Sequence, residues 1–162
     1  EANGADVPIM MASHNGLPAS GKALGGLEQL EGDYEAYGMA IAADEDTPPR
    51  QFYQTLSDSY GLKAPWNVVT AMGISQGLFA VTVIEHAIEA NGPEGLTGEK
   101  VREALFAEPI TTEETHGFLP TLSFTPEAPF PLKGLQVNVG SVRDGKIVVE
   151  ATGAAIPNVE KW

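Results

Sequence analysis

The chain has 162 residues, 43% of them hydrophobic and 19% charged, which is globular chemistry and enough for one modest domain or for part of a larger one. Twenty-two acidic residues against nine basic ones leave a formal net charge of -13. That sign repels phosphate backbones and anionic lipid heads, so nucleic acid and membrane surfaces are not expected partners. Cysteine is absent, which excludes disulfides, thiol catalysis and Cys-based zinc sites.

Val7 to Ala12 (VPIMMA) is a short apolar run closed by the polar stretch Ser13-His14-Asn15-Gly16. Its length and punctuation predict a buried strand running into a loop, the arrangement of an open α/β sheet. Gly16 to Gly26 predicts a short helix, and Glu31-Gly32 opens a second strand over Asp33 to Ala42. Ala43 to Pro49 comes next as a hinge-like stretch. Thr47 is a suitable N-cap, Pro48 and Pro49 suit a first helical turn, and Phe52, Leu56 and Tyr60 recur four apart until Gly61.

Trp66 to Asn91 carries the longest periodic pattern, with Val69, Met72, Phe79, Ala80, Val83, Ile84, Ala87 and Ile88 as a broad apolar stripe. Asn91-Gly92-Pro93 stops it, and Thr97 caps a third helix reaching about Glu108. The pattern then changes. Phe118 to Phe124 and Leu135 to Val142 alternate apolar with polar, Asp144-Gly145 is a hairpin turn, and Lys146 to Val149 is the return strand. The remainder to Trp162 reads as an irregular tail. No apolar run is expected to span a bilayer, and no signal peptide is visible. Glu1 to Ala5 reads as the tail of a preceding element, so a piece of a longer protein is expected.

Six segments, in this order, carry a resemblance to one family. They are Val7 to Gly16, Glu31-Gly32-Asp33-Tyr34 with Tyr37-Gly38, Gln51 to Gly61 (QFYQTLSDSYG), Thr97 to Leu105 (TGEKVREAL), Phe118 to Phe124, and Val142 to Val148 (VRDGKIV). The chain resembles the last part of the type I periplasmic binding proteins, specifically the branched-chain amino-acid receptors of ABC importers. With Val159-Glu160-Lys161-Trp162 it is nearest to a branch linked with aromatic or other carboxylate solutes.

The resemblance implies an α/β fold, the C-terminal portion of a two-lobe periplasmic-binding-protein type I fold, with helices and a C-terminal β-hairpin. It implies second-lobe strands and a cleft loop over 1–43, first-lobe helices over 48–116, and a crossover with a second-lobe hairpin over 117–150. Residues 151–162 form the tail. The implied function is that of a periplasmic, non-enzymatic receptor with no cofactor and no metal. Its implied partners are a small-molecule solute and the membrane permease of an importer.

Such a receptor needs a cleft that replaces a solute's hydration by fixed hydrogen bonds and apolar walls. In open α/β sheets the ligand sits off the carboxyl ends of the strands, where Ser13, His14 and Asn15 fall. Their hydroxyl, imidazole and amide groups suit a carboxylate. Tyr34 and Tyr37 lie on opposite strand faces, so at most one points to the cleft, and Tyr37 is the preferred one. Met72, with Trp66, lies near the wall that the resemblance places beside the hinge. No acidic residue occurs between Val7 and Leu27 to counter an ammonium, which favours an aromatic or aliphatic acid, or an amide, over an α-amino acid.

One pattern points to a different chemistry. Gly73-Ile74-Ser75-Gln76-Gly77 matches the G-x-S-x-G nucleophile elbow of α/β-hydrolases, with Asn67 to Ala71 as the strand before it. Glu113 or Glu114 with His116 would complete a triad in the right order. Against this, the acid and His116 are only two or three residues apart, no H-G-G-G-type oxyanion loop is visible, and the chain is short for that fold. His86 lacks a metal-binding H-E-x-x-H partner and reads as a satisfied helix histidine. Asp44-Glu45-Asp46 lacks the spacing of a calcium loop.

Overall fold

The computed structural model describes residues 7–12, 16–37, 46–128, 130–131 and 135–157. In chain order the elements are β1 (Met10–Ala12), α1 (Leu17–Leu24), β2 (Tyr34–Tyr37), α2 (Pro48–Tyr60), α3 (Val68–Asn91), α4 (Gly98–Ala107), β3 (Gln136–Arg143) and β4 (Lys146–Ala155). The chain divides into two compact units, Glu1–Glu45 with Val137–Ala154 and Asp46–Gln136 with Ala155–Trp162.

The first unit is built on a mixed sheet of order β1-β2-β3-β4. β1 and β2 are parallel, in a register that sets Met11 opposite Glu35, and β2 and β3 are antiparallel, with Glu35 opposite Gly140 and Tyr37 opposite Asn138. Asp144 and Gly145 both take left-handed φ values, 50° and 67°, as a two-residue hairpin with the native twist requires. The Glu31 carboxylate accepts hydrogen bonds from both turn N–H groups, at 3.0 and 3.2 Å.

One face of the sheet carries α1. Leu17, Leu30 and Val142 are buried there, with Met11, Leu27 and Ile147 packed against them. Gly25, at φ 98°, ends α1 in a left-handed conformation that a side chain would resist. The opposite face carries a polar set. Arg143 donates to the Tyr34 hydroxyl at 3.1 Å and pairs with Glu150, which also accepts from the Ser141 hydroxyl.

The second unit is helical. Pro48 and Pro49 open α2 as expected, and Gly61, at φ 73°, closes it. Thr47 occupies the N-cap position but its hydroxyl makes no cap hydrogen bond, a departure from the sequence expectation. The Thr97 cap forms as expected, accepting from the Lys100 N–H at 3.2 Å, and Asn67 caps α3 by accepting from the Thr70 N–H at 2.9 Å. α3 packs on α4 through Val83, Ala87, Ala104 and Ile110, with Phe79, Val101, Leu105 and Phe124 around them.

Three sequence expectations are corrected. Phe118 to Phe124 is not a strand: Phe118 is buried at the end of a turn, and Leu122 makes only an isolated bridge to Ile110. Alternation there reflects a loop anchored by two side chains, without a neighbouring strand to pair. The return strand does not stop at Val149. It continues to Ala155, because Gly153 donates to the Asn138 side chain and Ile156 to the Leu135 carbonyl, extending the hairpin. Finally, α3 is long and apolar enough, by length and composition alone, to cross a membrane. Its apolar residues ring the helix, so Val69 and Ile84 of the expected stripe are exposed while the polar Ser75, Thr82 and His86 are buried.

Candidate functional site

The strand-to-helix junction of the first unit is where the sequence places the binding loop. Ser13, His14 and Asn15 themselves lie outside the described residues. The next residue, Gly16, takes the N-cap position of α1 with extended backbone and offers no side chain to the orphan N–H groups of the first turn.

That role falls to Glu35, on the neighbouring strand. Its Oε2 accepts from the Leu17 N–H, 18 residues earlier in the chain, at 2.7 Å. Glu35 is only 5% exposed, and burial pushes its carboxyl above the usual range while the Leu17 hydrogen bond pulls it back. The fit is close. A Cβ on Gly16 would stand 2.2 Å from Oε2 and 2.3 Å from Cδ of Glu35.

Sequence reading misses Glu35 because its charge argues for a solvated position. Strand alternation carries the opposite signal, since Glu35 shares a face with Tyr37. The expectation of no acid near this loop therefore needs correction: an acid arrives from the neighbouring strand.

Tyr37 is buried at the end of β2, its ring against Gly140 of β3. It stands on the same face as Glu35, two residues on. Met72 belongs to the second unit, in the second turn of α3, and is partly exposed. Each of the two is thus placed in its own unit.

The second unit holds a group of donors around Arg50, which sequence reading does not single out, and Trp66, which it places near the wall. The Arg50 guanidinium lies over the Tyr53 ring at 5.1 Å and over the Trp66 ring at 5.4 Å. Tyr53 and Trp66 are 5.1 Å apart, and the Tyr53 hydroxyl donates to the Ala64 carbonyl at 2.8 Å. Among the described residues, Arg50 Nη1, Trp66 Nε1 and Thr47 Oγ1 are buried without a hydrogen-bond partner. Chemically, that set is rich in donors and suits an anion or a carbonyl. Trp66 also meets Phe118 edge-on at 6.2 Å, and Phe118 meets Phe52 at 6.3 Å.

The nucleophile-elbow arrangement does not form. Asn67 to Ala71 is a cap and the first turn of α3, and Gly73 to Gly77 continues the helix. Ser75 is buried and donates to the Met72 carbonyl at 2.9 Å, a back-bond within the helix. His116 stacks on Phe52 at 4.1 Å, and Glu114 is engaged with His86. Among the described residues no cluster of His, Asp or Glu could hold a metal ion.

This combination defines a class by architecture: the chain has the carboxy-terminal part of a type I periplasmic-binding-protein fold. It superposes on a branched-chain amino acid ABC transporter from Thermus thermophilus with bound valine at TM-score 0.72 and 19% identity, over 96% of this chain and 41% of that one. A branched-chain amino acid ABC transporter from Rhodospirillum rubrum matches at TM-score 0.62 and 24% identity, over 91% and 38%. A leucine-binding protein from Thermotoga maritima matches at 0.60 and 18%, over 94% and 39%. The chain thus spans about two fifths of the length of these solved structures. No family model matches the sequence, and no curated protein matches it either.

Proposed function

We propose that this chain is part of an extracytoplasmic solute-binding receptor of an ABC importer. In this reading the first unit, with Glu35 and Tyr37, contributes to one lobe of a clamp, and the second unit, with Met72, to the other. Residues 1–43 and the hairpin within 117–150 belong in this reading to the second lobe, and 48–116 to the first. Ser13, His14, Asn15, Tyr37 and Met72 contact the solute, a small organic molecule of the branched-chain-amino-acid, aromatic or aliphatic carboxylate, or amide class. The receptor works in the periplasm and delivers to a membrane permease without altering its cargo.

The observation that supports this reading is the superposition of 96% of the chain on 41% of a branched-chain amino acid ABC transporter with bound valine. The physical logic agrees with it. A clamp needs two compact units joined by several passes of chain, and the division falls at Glu45/Asp46, Gln136/Val137 and Ala154/Ala155. A thermal-shift screen of the full-length protein against amino acids, aromatic acids, dicarboxylates and amides tests it. A true solute at a hundred times its Kd adds about 2.7 kcal/mol of stability. A flat response to every class would remove the proposal.

A further inference from the structure

We propose that Arg50 and Trp66 form, on the second unit, the seat for the carboxylate of a small organic acid. The inference rests on the receptor reading above and deepens it, by giving the solute a required group and that group its binding residues.

A chain with 22 acidic and nine basic residues has acids to spare for every cation. Lys100 and Arg143 each take one, Glu103 at 2.7 Å and Glu150 at 3.1 Å. Arg50 takes none. No acid among the described residues pairs with it, and Asp46, near it in sequence, is engaged with the Gln51 side chain at 2.8 Å. Its Nη1 is nevertheless buried without a hydrogen-bond partner, as is Nε1 of Trp66. Buried donors in folded proteins are nearly always paired, so two left open beside each other point to a group that arrives with a ligand.

The seat keeps its shape without that group. The Arg50 guanidinium lies over the Tyr53 ring at 5.1 Å and over the Trp66 ring at 5.4 Å. Tyr53 is fixed through its hydroxyl on the Ala64 carbonyl, at 2.8 Å, and Trp66 by edge contact with the buried Phe118 at 6.2 Å. Ring faces hold a cation by electrostatic attraction and leave its N–H fork to other acceptors. Arg50 and Trp66 are themselves only half-buried, so these donors lie near the surface of their unit.

This chemistry selects among solutes. A guanidinium matches the two oxygens of a carboxylate with two N–H groups at once, and the indole N–H adds a further donor. A carboxylate answers all of them as an acceptor. A carboxamide offers one oxygen and brings an NH2 that opposes the donors. An ammonium group is repelled.

Three acids, benzoate, isovalerate and valine, titrated into the full-length protein beside benzamide, isovaleramide and valinamide, test this. Calorimetry gives the affinities, and the Trp66 indole N–H resonance is the local readout. At least one acid should bind, about tenfold or more tighter than its amide, and shift the Trp66 signal saturably. Arg50→Lys keeps the charge without the planar fork, and should weaken the acid about tenfold while leaving its amide unchanged. Trp66→Phe keeps a ring beside Arg50 and removes the N–H, and should also weaken the acid.

An acid that binds no better than its amide overturns the inference, as does an Arg50→Lys variant with the wild-type preference. Silence from all three acids overturns it too, and leaves the receptor reading standing if another solute stabilises the protein in the wider thermal-shift screen. No stabilisation by any solute removes both. A severe loss of stability in Arg50→Met without solute also overturns it, since a carboxylate of the full-length protein would then already occupy the seat.

Discussion

His86 Nε2 and Glu114 Oε1, 28 residues apart in sequence, meet at 2.5 Å and tie the middle of α3 to the turn after α4. Glu114 is fixed from its other oxygen as well, accepting from the Thr111 N–H at 2.7 Å and the Thr111 hydroxyl at 2.6 Å. Those two bonds first, and His86 after them, hold its carboxyl down at about 2 from an ordinary 4.5. A depressed folded value means that the carboxylate stabilises the fold above its unfolded value, and that the contribution is lost as pH falls toward 2. Denaturant unfolding of wild type and Glu114→Gln should therefore differ fully at pH 6 and converge as pH is lowered through 4 to 2. A gap that stays constant across that range would show that the anchor is not ionic.

The hairpin turn should depend on an acid that is distant in sequence. Glu31 receives the N–H groups of Asp144 and Gly145, over a separation of 113 and 114 residues. Both bonds are solvent-exposed, so Glu31→Ala should cost about 1 kcal/mol. Amide hydrogen exchange at Asp144 and Gly145 should speed up, with little change at Tyr34. Gly145→Ala should cost about 1 kcal/mol more than an ordinary surface change, because φ 67° is unfavourable with a Cβ.

The donor set around Arg50 predicts a much smaller effect than most core changes. Its cation–ring contacts are worth about 0.5–1 kcal/mol each, while a buried donor without a partner costs about 1–3 kcal/mol. These nearly cancel. Arg50→Met should stay within about 1 kcal/mol of the wild type in chemical unfolding. Trp66→Ala, which removes a ring packed on Tyr53 and Phe118, should cost about 3 kcal/mol or more. A severe loss in Arg50→Met would show that the guanidinium is paired in the full-length protein.

Ser75→Ala separates the receptor from a hydrolase. The Ser75 hydroxyl bonds back within its own helix, and alanine is the better helix former by a few tenths of a kcal/mol. Stability should be unchanged or slightly higher. Hydrolysis of a p-nitrophenyl ester should equal the solvent rate in both forms. Turnover in the wild type that disappears in the variant would restore Ser75 as a nucleophile.

Much of this architecture is legible because each element carries its own punctuation. Pro48-Pro49 and Gly61 bracket α2, Thr97 starts α4, and Asp144-Gly145 turns the hairpin, all by local chemistry. The expectations that fail depend on distant partners. Phe118 and Leu122 alternate like a strand, but Leu122 has only Ile110 to pair with. The buried stripe of α3 is hidden in a helix apolar on every side. At the proposed site, residue types around the loop suggest hydrogen-bonding chemistry, but Glu35 lies one strand away and becomes part of it only through the parallel register of Met11 with Glu35. Arg50, Tyr53 and Trp66 are likewise joined by packing, and no spacing in the sequence announces them.

The account stands on reversible capture without chemical change, and equilibrium dialysis of the full-length protein against a mixed panel of organic acids, amides and amino acids measures that directly. The retained compound, released by unfolding and weighed by mass spectrometry, should be a single solute at one per chain with its original mass. A panel that equilibrates evenly across the membrane, or a retained compound returned as a cleaved product, would contradict the account.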